Sequence, residues 1–350
     1  MSKTSSRQKM AYGLILVMLL SAVFWALPKC KSDQPENNTN ALKIPTVPVP
    51  NFSGDSAFAY VKKQVDFGPR VPGTAAHKAC AAWLVESFKG FGMTVIEQPF
   101  KANTYFGTLD AVNIIAQYKP ELSNRILLCA HWDSRHIADK DTKNKDKAIL
   151  GADDGGSGVA VLLELARMVN ETPVNIGIDF ICFDAEDLGD DRLANPNQSV
   201  MLQNPQNTDK TWCLGSQYWS QNLHKPGYTA KFGILFDMVG AIGARFPREG
   251  FSVDKATEIV NKIWGVAAEL KYNDLFVNIR GGNITDDHLF VMRGTQIPTV
   301  DIIGMPKEPP TFGDHHHTHF DNLSIIDSEV MRKVGQVAAT VIYRTAAVPQ

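Results

Sequence analysis

Five stretches of the chain carry carboxylates and imidazoles in forms that a metal ion can use. They are His131-Trp132-Asp133-Ser134, the loop Gly151-Ala152-Asp153-Asp154-Gly155-Gly156-Ser157-Gly158, the run Asp184-Ala185-Glu186-Asp187, the isolated Asp237, and Asp314-His315-His316-His317-Thr318-His319-Phe320-Asp321-Asn322. Each has an ordinary reading when taken singly. An Asp just before a helix is usually its N-cap, which would account for Asp154, and a His in a loop is usually solvated. Taken together the five are hard to explain that way, because grouping many desolvated charges without a counter-charge is costly. A divalent cation removes the conflict. Mixed imidazole and carboxylate ligands that leave a coordination position open suit catalytic zinc.

The elements between these stretches say how they meet. Residues 76–91 read as an amphipathic helix and Thr94 to Gln98 as a strand. Val112 to Gln117 and Arg125 to Ala130 are short, β-branched apolar runs of strand length. A helix follows at Gly158 to Val169, then a buried strand at Ile176 to Phe183 and a helix at Leu214 to Leu223. Phe232 to Met238 is a strand, and Val253 to Leu270 has apolar residues at helical spacing. Thr299 to Ile303 is a strand and Ser328 to Ala346 a closing helix. Such alternation predicts a single α/β domain, with a central, mostly parallel mixed sheet flanked by helices on both faces. Ligands in these folds bind beyond the carboxyl ends of the strands. The five stretches all follow or end strands, so one sheet edge should gather them.

Composition bounds the rest. At 44% apolar and 21% charged residues, the chain of 350 has enough apolar material for a sizeable core. A net charge of -2 offers no electrostatic case for a nucleic-acid partner. No P-loop or G-x-G-x-x-G occurs. Of the five cysteines, Cys129 and Cys182 lie in apolar strand-like runs and read as small buried hydrophobes. No C-x-x-C pattern exists, so the thiols give no sign of a zinc site.

The first residues differ from the body. Lys3, Arg7 and Lys9 precede an apolar run from Met10 to Leu27, the pattern of an export signal and nearly long enough for an uncleaved membrane anchor. Cys30 then resembles a bacterial lipoprotein acceptor, although Lys29 stands where a small residue is expected. We expect an export segment over residues 1–29, a flexible tether over 30–51 that is rich in Asn, Pro, Lys and Thr, and a catalytic domain over 52–350. The protein is therefore expected to be exported, periplasmic or membrane-tethered, touching the membrane only through that anchor or lipid.

The segments AHWDS, GADDGGSG, FDAEDLG, LFDMVG, DDH and HHTHFDN resemble those of the zinc-dependent aminopeptidase superfamily, and FGPRVPGT at Phe67–Thr74 resembles the opening motif of its glutaminyl cyclase branch in the bacterial form. The likeness spans residues from about 56 to 346. It implies one zinc held by Asp154, Asp187 and His317, with Glu186 as proton shuttle and Asp237 and Asp286 as its hydrogen-bonding neighbours. The animal cyclases carry Glu-Glu where this chain has Glu186-Asp187, so the ligand at 187 is one methylene shorter. The implied reaction is intramolecular. The free amine of an N-terminal glutamine attacks its own side-chain amide, a lactam forms and ammonia leaves. The catalyst must curl the side chain and move one proton.

Asp286-Asp287 also precedes the helix-like His288-Leu289-Phe290, and we assign Asp286 to the site and Asp287 to the helix N-terminus. Trp212, at the far end of the long polar segment Leu188 to Cys213, is expected to stack on the substrate. Trp132, beside His131, and His316 are expected there as well. The main alternative is a zinc aminopeptidase, for which His131 and Asp237 would serve as ligands to a second metal.

Overall fold

In the computed structural model, residues 47–190 and 210–348 are described, all within the compact unit Ile44–Gln350. The expected export segment, Cys30 and nearly all of the tether lie outside the described residues. Among those described, no helix is long and apolar enough to cross a membrane.

The described residues open with two helices, α1 (Gly54–Asp66) and α2 (Ala75–Gly90), whose first turns are capped by the hydroxyls of Ser53 and Thr74. A long hairpin follows, β1 (Thr94–Thr104) with β2 (Gly107–Tyr118), and then β3 (Arg125–His131). Next come α3 (Gly156–Glu171), β4 (Gly177–Phe183), α4 (Leu214–Gln221) and β5 (Gly233–Asp237). The last third holds β6 (Phe246–Arg248), α5 (Gly250–Lys255), α6 (Thr257–Glu269), β7 (Phe276–Arg280), α7 (Asp287–Thr295), β8 (Thr299–Ile303) and α8 (Ser328–Ala346).

Six strands form one sheet in the order β1-β2-β4-β3-β5-β8. The hairpin edge is antiparallel, while β4, β3, β5 and β8 run parallel, so the sheet is mixed and parallel where it is central. Every residue of β3, β4, β5 and β8 is buried, as near-continuous apolar runs demand of strands covered on both faces. The period of two sorts their side chains. Ile126, Leu128 and Ala130 face a large core built with α1, α2, α3, α6 and α8. Leu127 and Cys129 face a smaller one with Trp219 and Val291, from α4 and α7.

Three expectations shift. The helix over Val253 to Leu270 divides at Ala256, whose φ of -134° and ψ of 32° break the spiral into α5 and α6. The strand at Thr94 continues to Thr104, because the hairpin pairs in register as far as Gly107. Asp154 is not a helix cap. Gly155 takes the N-cap position of α3 with a φ of 63°, and no side chain caps that helix. The glycines of this loop serve close packing: a Cβ on Gly158 would lie 2.1 Å from the carbonyl oxygen of Phe236 in β5. This contact sets α3, and with it the Asp153-Asp154 turn, directly against the sheet. Cys80, Cys129, Cys182 and Cys213 are all free and buried.

Candidate metal centre

The parallel strands end at the same edge, and β3, β4 and β5 deliver polar side chains there. His131 closes β3, Asp237 closes β5, and Glu186 and Asp187 follow β4. His131 Nε2 lies 3.0 Å from Asp154 Oδ1 and 3.3 Å from Asp237 Oδ1, while its Nδ1 lies 3.4 Å from Asp133. His317 Nε2 lies 3.2 Å from Asp187 Oδ1 and 3.8 Å from Asp154 Oδ2. Asp154 thus stands between two histidines that arrive from opposite parts of the chain. All of these groups are buried.

Which member of the histidine run faces the centre is set by the partners of the others. His315 Nε2 engages Asp153 Oδ2 at 3.0 Å. His316 Nδ1 lies 2.6 Å from the Lys140 ammonium, and its Nε2 is 3.9 Å from Asp154 Oδ2. His317 keeps Nε2 directed at Asp154 and Asp187, and its backbone adopts a left-handed φ of 60° to reach them. Burial and the nearby Arg135 guanidinium hold the His317 imidazole well below its ordinary pKa, so it is neutral, as a ligand must be.

The carboxylates behave as a crowded set. Burial, followed by the charges of Asp286, Asp187 and Asp287, raises Glu186 well above the ordinary Glu range, although His131 opposes it. Burial and Asp286 bring Asp237 up to about 8 against the pull of His131. Asp187 is raised by burial and by Asp154, while Asp154 is held low because His131, His316 and His317 outweigh its burial. Close carboxylates of this kind share protons. Glu186 Oε1 also accepts from the Cys213 thiol at 3.1 Å.

The centre fits a divalent cation. Asp187 Oδ2 is buried without a hydrogen-bond donor, although Oδ1 receives Arg135 at 3.1 Å. His131, Asp154 and Asp237 form one trio whose ligand atoms all lie within 4.8 Å of one another, and Asp154 joins a second group with His316 and His317. Neutral imidazole and carboxylate oxygens are a donor set that zinc accepts.

Other sequence expectations are placed as follows. Asp286 reaches the cluster, with an oxygen within 4.8 Å of Glu186 and Cys213 ligand atoms. It is also the N-cap of α7, because its extended backbone lets Oδ1 accept from Asp287 N. The assignment of the cap to Asp287 is therefore corrected: Asp287 is the first helical residue and fully buried. Trp212 lies parallel to His317 with ring centroids 5.9 Å apart, and the Arg135 guanidinium sits 4.9 Å from its ring. Trp132 is corrected: its indole is wholly buried, stacks on His77 at 4.3 Å and donates to Val112 O, so it belongs to the core. Of the long segment after Leu188, residues 191–209 lie outside the described residues. Arg135, Lys140 and Cys213 were not singled out by the sequence. Arg135 follows the strand-end motif by one residue, and that proximity was the available signal.

The family profile of Peptidase family M28 matches residues 113–342, well over half the chain. A crystal structure of Bacteroides thetaiotaomicron glutaminyl cyclase bound to N-acetylhistamine is 46% identical, with a TM-score of 0.79, over 85% of this chain and 99% of that one. A structure described as a leucine aminopeptidase precursor from Bacteroides thetaiotaomicron gives the same identity, score and coverage. Among curated proteins, the glutaminyl-peptide cyclotransferase of Drosophila melanogaster is 23% identical over 287 residues, covering 74% of this chain and 72% of its own length. With the profile matched over residues 113–342, the chain belongs to Peptidase family M28.

Proposed function

We propose that this protein is a glutaminyl cyclase that converts the N-terminal glutamine of peptides and proteins to pyroglutamate with release of ammonia. The observation that carries this reading is Glu186. It is buried, accepts from the Cys213 thiol, and is one residue from Asp187, which faces His317 as Asp154 does. The chain's likeness to a solved glutaminyl cyclase at 46% identity supports it.

In this reading Asp154, Asp187 and His317 hold one zinc. When bound, the metal acts as a Lewis acid on the amide oxygen of the substrate side chain. The chain's own residues do the remainder. Glu186 accepts a proton from the substrate α-amine as that nitrogen bonds to the amide carbon. It returns the proton to the side-chain nitrogen as the carbon–nitrogen bond breaks and ammonia leaves. Burial and the charges of Asp286, Asp187 and Asp287 raise the Glu186 pKa for the return of the proton, and Asp286 acts on Asp237 as well. Trp212, ranged beside His317, supplies an apolar wall against which the glutamine side chain curls.

The reading takes one metal, because a substrate amine that is its own nucleophile needs one Lewis acid and no metal-bound water. The aminopeptidase reading is weaker. It rests on the trio of His131, Asp154 and Asp237 acting as a second metal site and on the likeness to the leucine aminopeptidase precursor. Incubation with a short glutamine-headed peptide separates the two. Ammonia release with the matching mass loss supports cyclisation, while a freed amino acid establishes a peptidase. The basic and apolar start of the chain supports export, with the domain acting in the periplasm or tethered to a membrane.

A further inference from the structure

Each ligand-bearing segment beyond the strand ends is irregular, and its backbone N–H groups need acceptors that a sheet or helix would otherwise supply. Two buried aspartates provide them in the same manner. Asp133 accepts from Glu186 N on Oδ1 at 3.0 Å and from Asp187 N on Oδ2 at 3.1 Å. Asp321 accepts from Asp153 N on Oδ1 at 2.7 Å and from Asp154 N on Oδ2 at 3.1 Å. Both side chains are fully buried. In each case a carboxylate spans the N–H of a candidate ligand and the N–H of the residue before it.

The two clamps also close a circuit. Asp133 lies two residues after His131, so it ties that segment to Glu186-Asp187. Asp321 lies four residues after His317, so it ties that segment to Asp153-Asp154. Side-chain contacts complete the circuit, with His317 meeting Asp187 and His131 meeting Asp154. Backbone clamps therefore alternate with ligand contacts around the centre. Behind it, the buried Arg70 guanidinium donates to the carbonyls of Trp132, Leu150 and Gly151, bracing two of the same segments through their acceptor groups.

We propose that Asp133 and Asp321 are a matched pair of positioning residues that fix the spacing of Asp187 and Asp154 before any metal arrives. The inference rests on the reading of those two residues as metal ligands. Only a carboxylate offers two acceptor oxygens in one plane. An amide of the same shape would set an NH2 group against one of the two N–H donors. The two clamps differ in what they hold. Asp321 holds a ligand alone, whereas Asp133 holds a ligand and Glu186 together.

The test is zinc affinity of the purified protein and its Asp321→Asn and Asp133→Asn variants, read by competition with a chromophoric chelator and paired with turnover of a glutamine-headed peptide. Each variant should bind zinc roughly 10–100-fold more weakly while keeping the wild-type circular dichroism spectrum. At saturating zinc, Asp321→Asn should recover kcat, while Asp133→Asn should remain at least about tenfold low because Glu186 is no longer held. Wild-type affinity in both folded variants would overturn the proposal. A wild-type protein that binds no zinc would instead strike the metal reading itself. Amide hydrogen exchange on the zinc-stripped wild type needs no substitution. Continued protection of the Asp154 and Asp187 N–H groups is expected, and exchange as fast as in exposed loops would overturn the proposal.

Discussion

The Cys213 thiol donates to Glu186 Oε1 at 3.1 Å, and the Cys213 backbone N–H donates to the Glu186 carbonyl at 2.9 Å. One residue therefore engages both the backbone and the carboxylate of the proton-carrying Glu186. Glu186 does not need to bind metal for this arrangement to work. Glu186→Gln keeps the shape and the thiol contact but cannot take a proton. We expect zinc content to be unchanged and kcat to fall by about 10²-fold or more. Parallel loss of zinc and turnover would move Glu186 into the ligand set.

The histidine run gives a sharper comparison. His317 faces Asp154 and Asp187, whereas His316 is tied to Lys140. His317→Ala should deplete bound metal in dialysed protein. His316→Ala should leave the metal in place, since the lost contact is with an ammonium. Equal depletion in both would make the two imidazoles joint ligands, and full retention in His317→Ala would remove it from the centre.

Trp212 separates recognition from chemistry. Its ring is parallel to His317 and carries Arg135 on it. Trp212→Ala should raise KM several-fold and leave kcat close to wild type, as loss of uniform binding does. A fall in kcat at constant KM would show that the indole acts in the transition state.

The sheet and the edge that carries the site were legible because both follow from periodicity. The mostly apolar runs at β3 and β4, leading into His131 and into Asp184 to Asp187, fix what lies at the carboxyl ends. The break at Ala256 was not legible, since apolar spacing runs straight through it. Trp132 was misread for a related reason: adjacency to His131 says nothing about which side of a pleated strand end an indole leaves from. Cys213 and Arg135 act through contacts made across the fold, Arg135 with Asp187 and Cys213 with Glu186. Asp133 and Asp321 were visible as members of acidic stretches. Their clamps depend on backbone N–H groups, which every residue but proline has and no sequence marks.

Stability toward acid should depend on a group outside the metal centre. Glu249 is buried, accepts from Phe251, Ser252 and Ile284 N–H groups, and lies 3.1 Å from His288 Nε2. Burial raises its pKa, but the His288 hydrogen bond and charge and the backbone donors outweigh that, and it settles at about 2 against an ordinary 4.5. A carboxyl depressed in the folded state stabilises the fold above its unfolded pKa. That contribution is lost as the pH falls from about 4.5 towards about 2. The shift corresponds to about 3 kcal/mol at neutrality. Glu249→Gln leaves one acceptor oxygen for several donors and nothing that titrates. It should lower the unfolding free energy near neutral pH by an amount of that order, and the gap to wild type should narrow as denaturant titrations move from pH 5 toward 2. A gap that stays constant across that window would show that the ionised carboxylate contributes nothing beyond its shape.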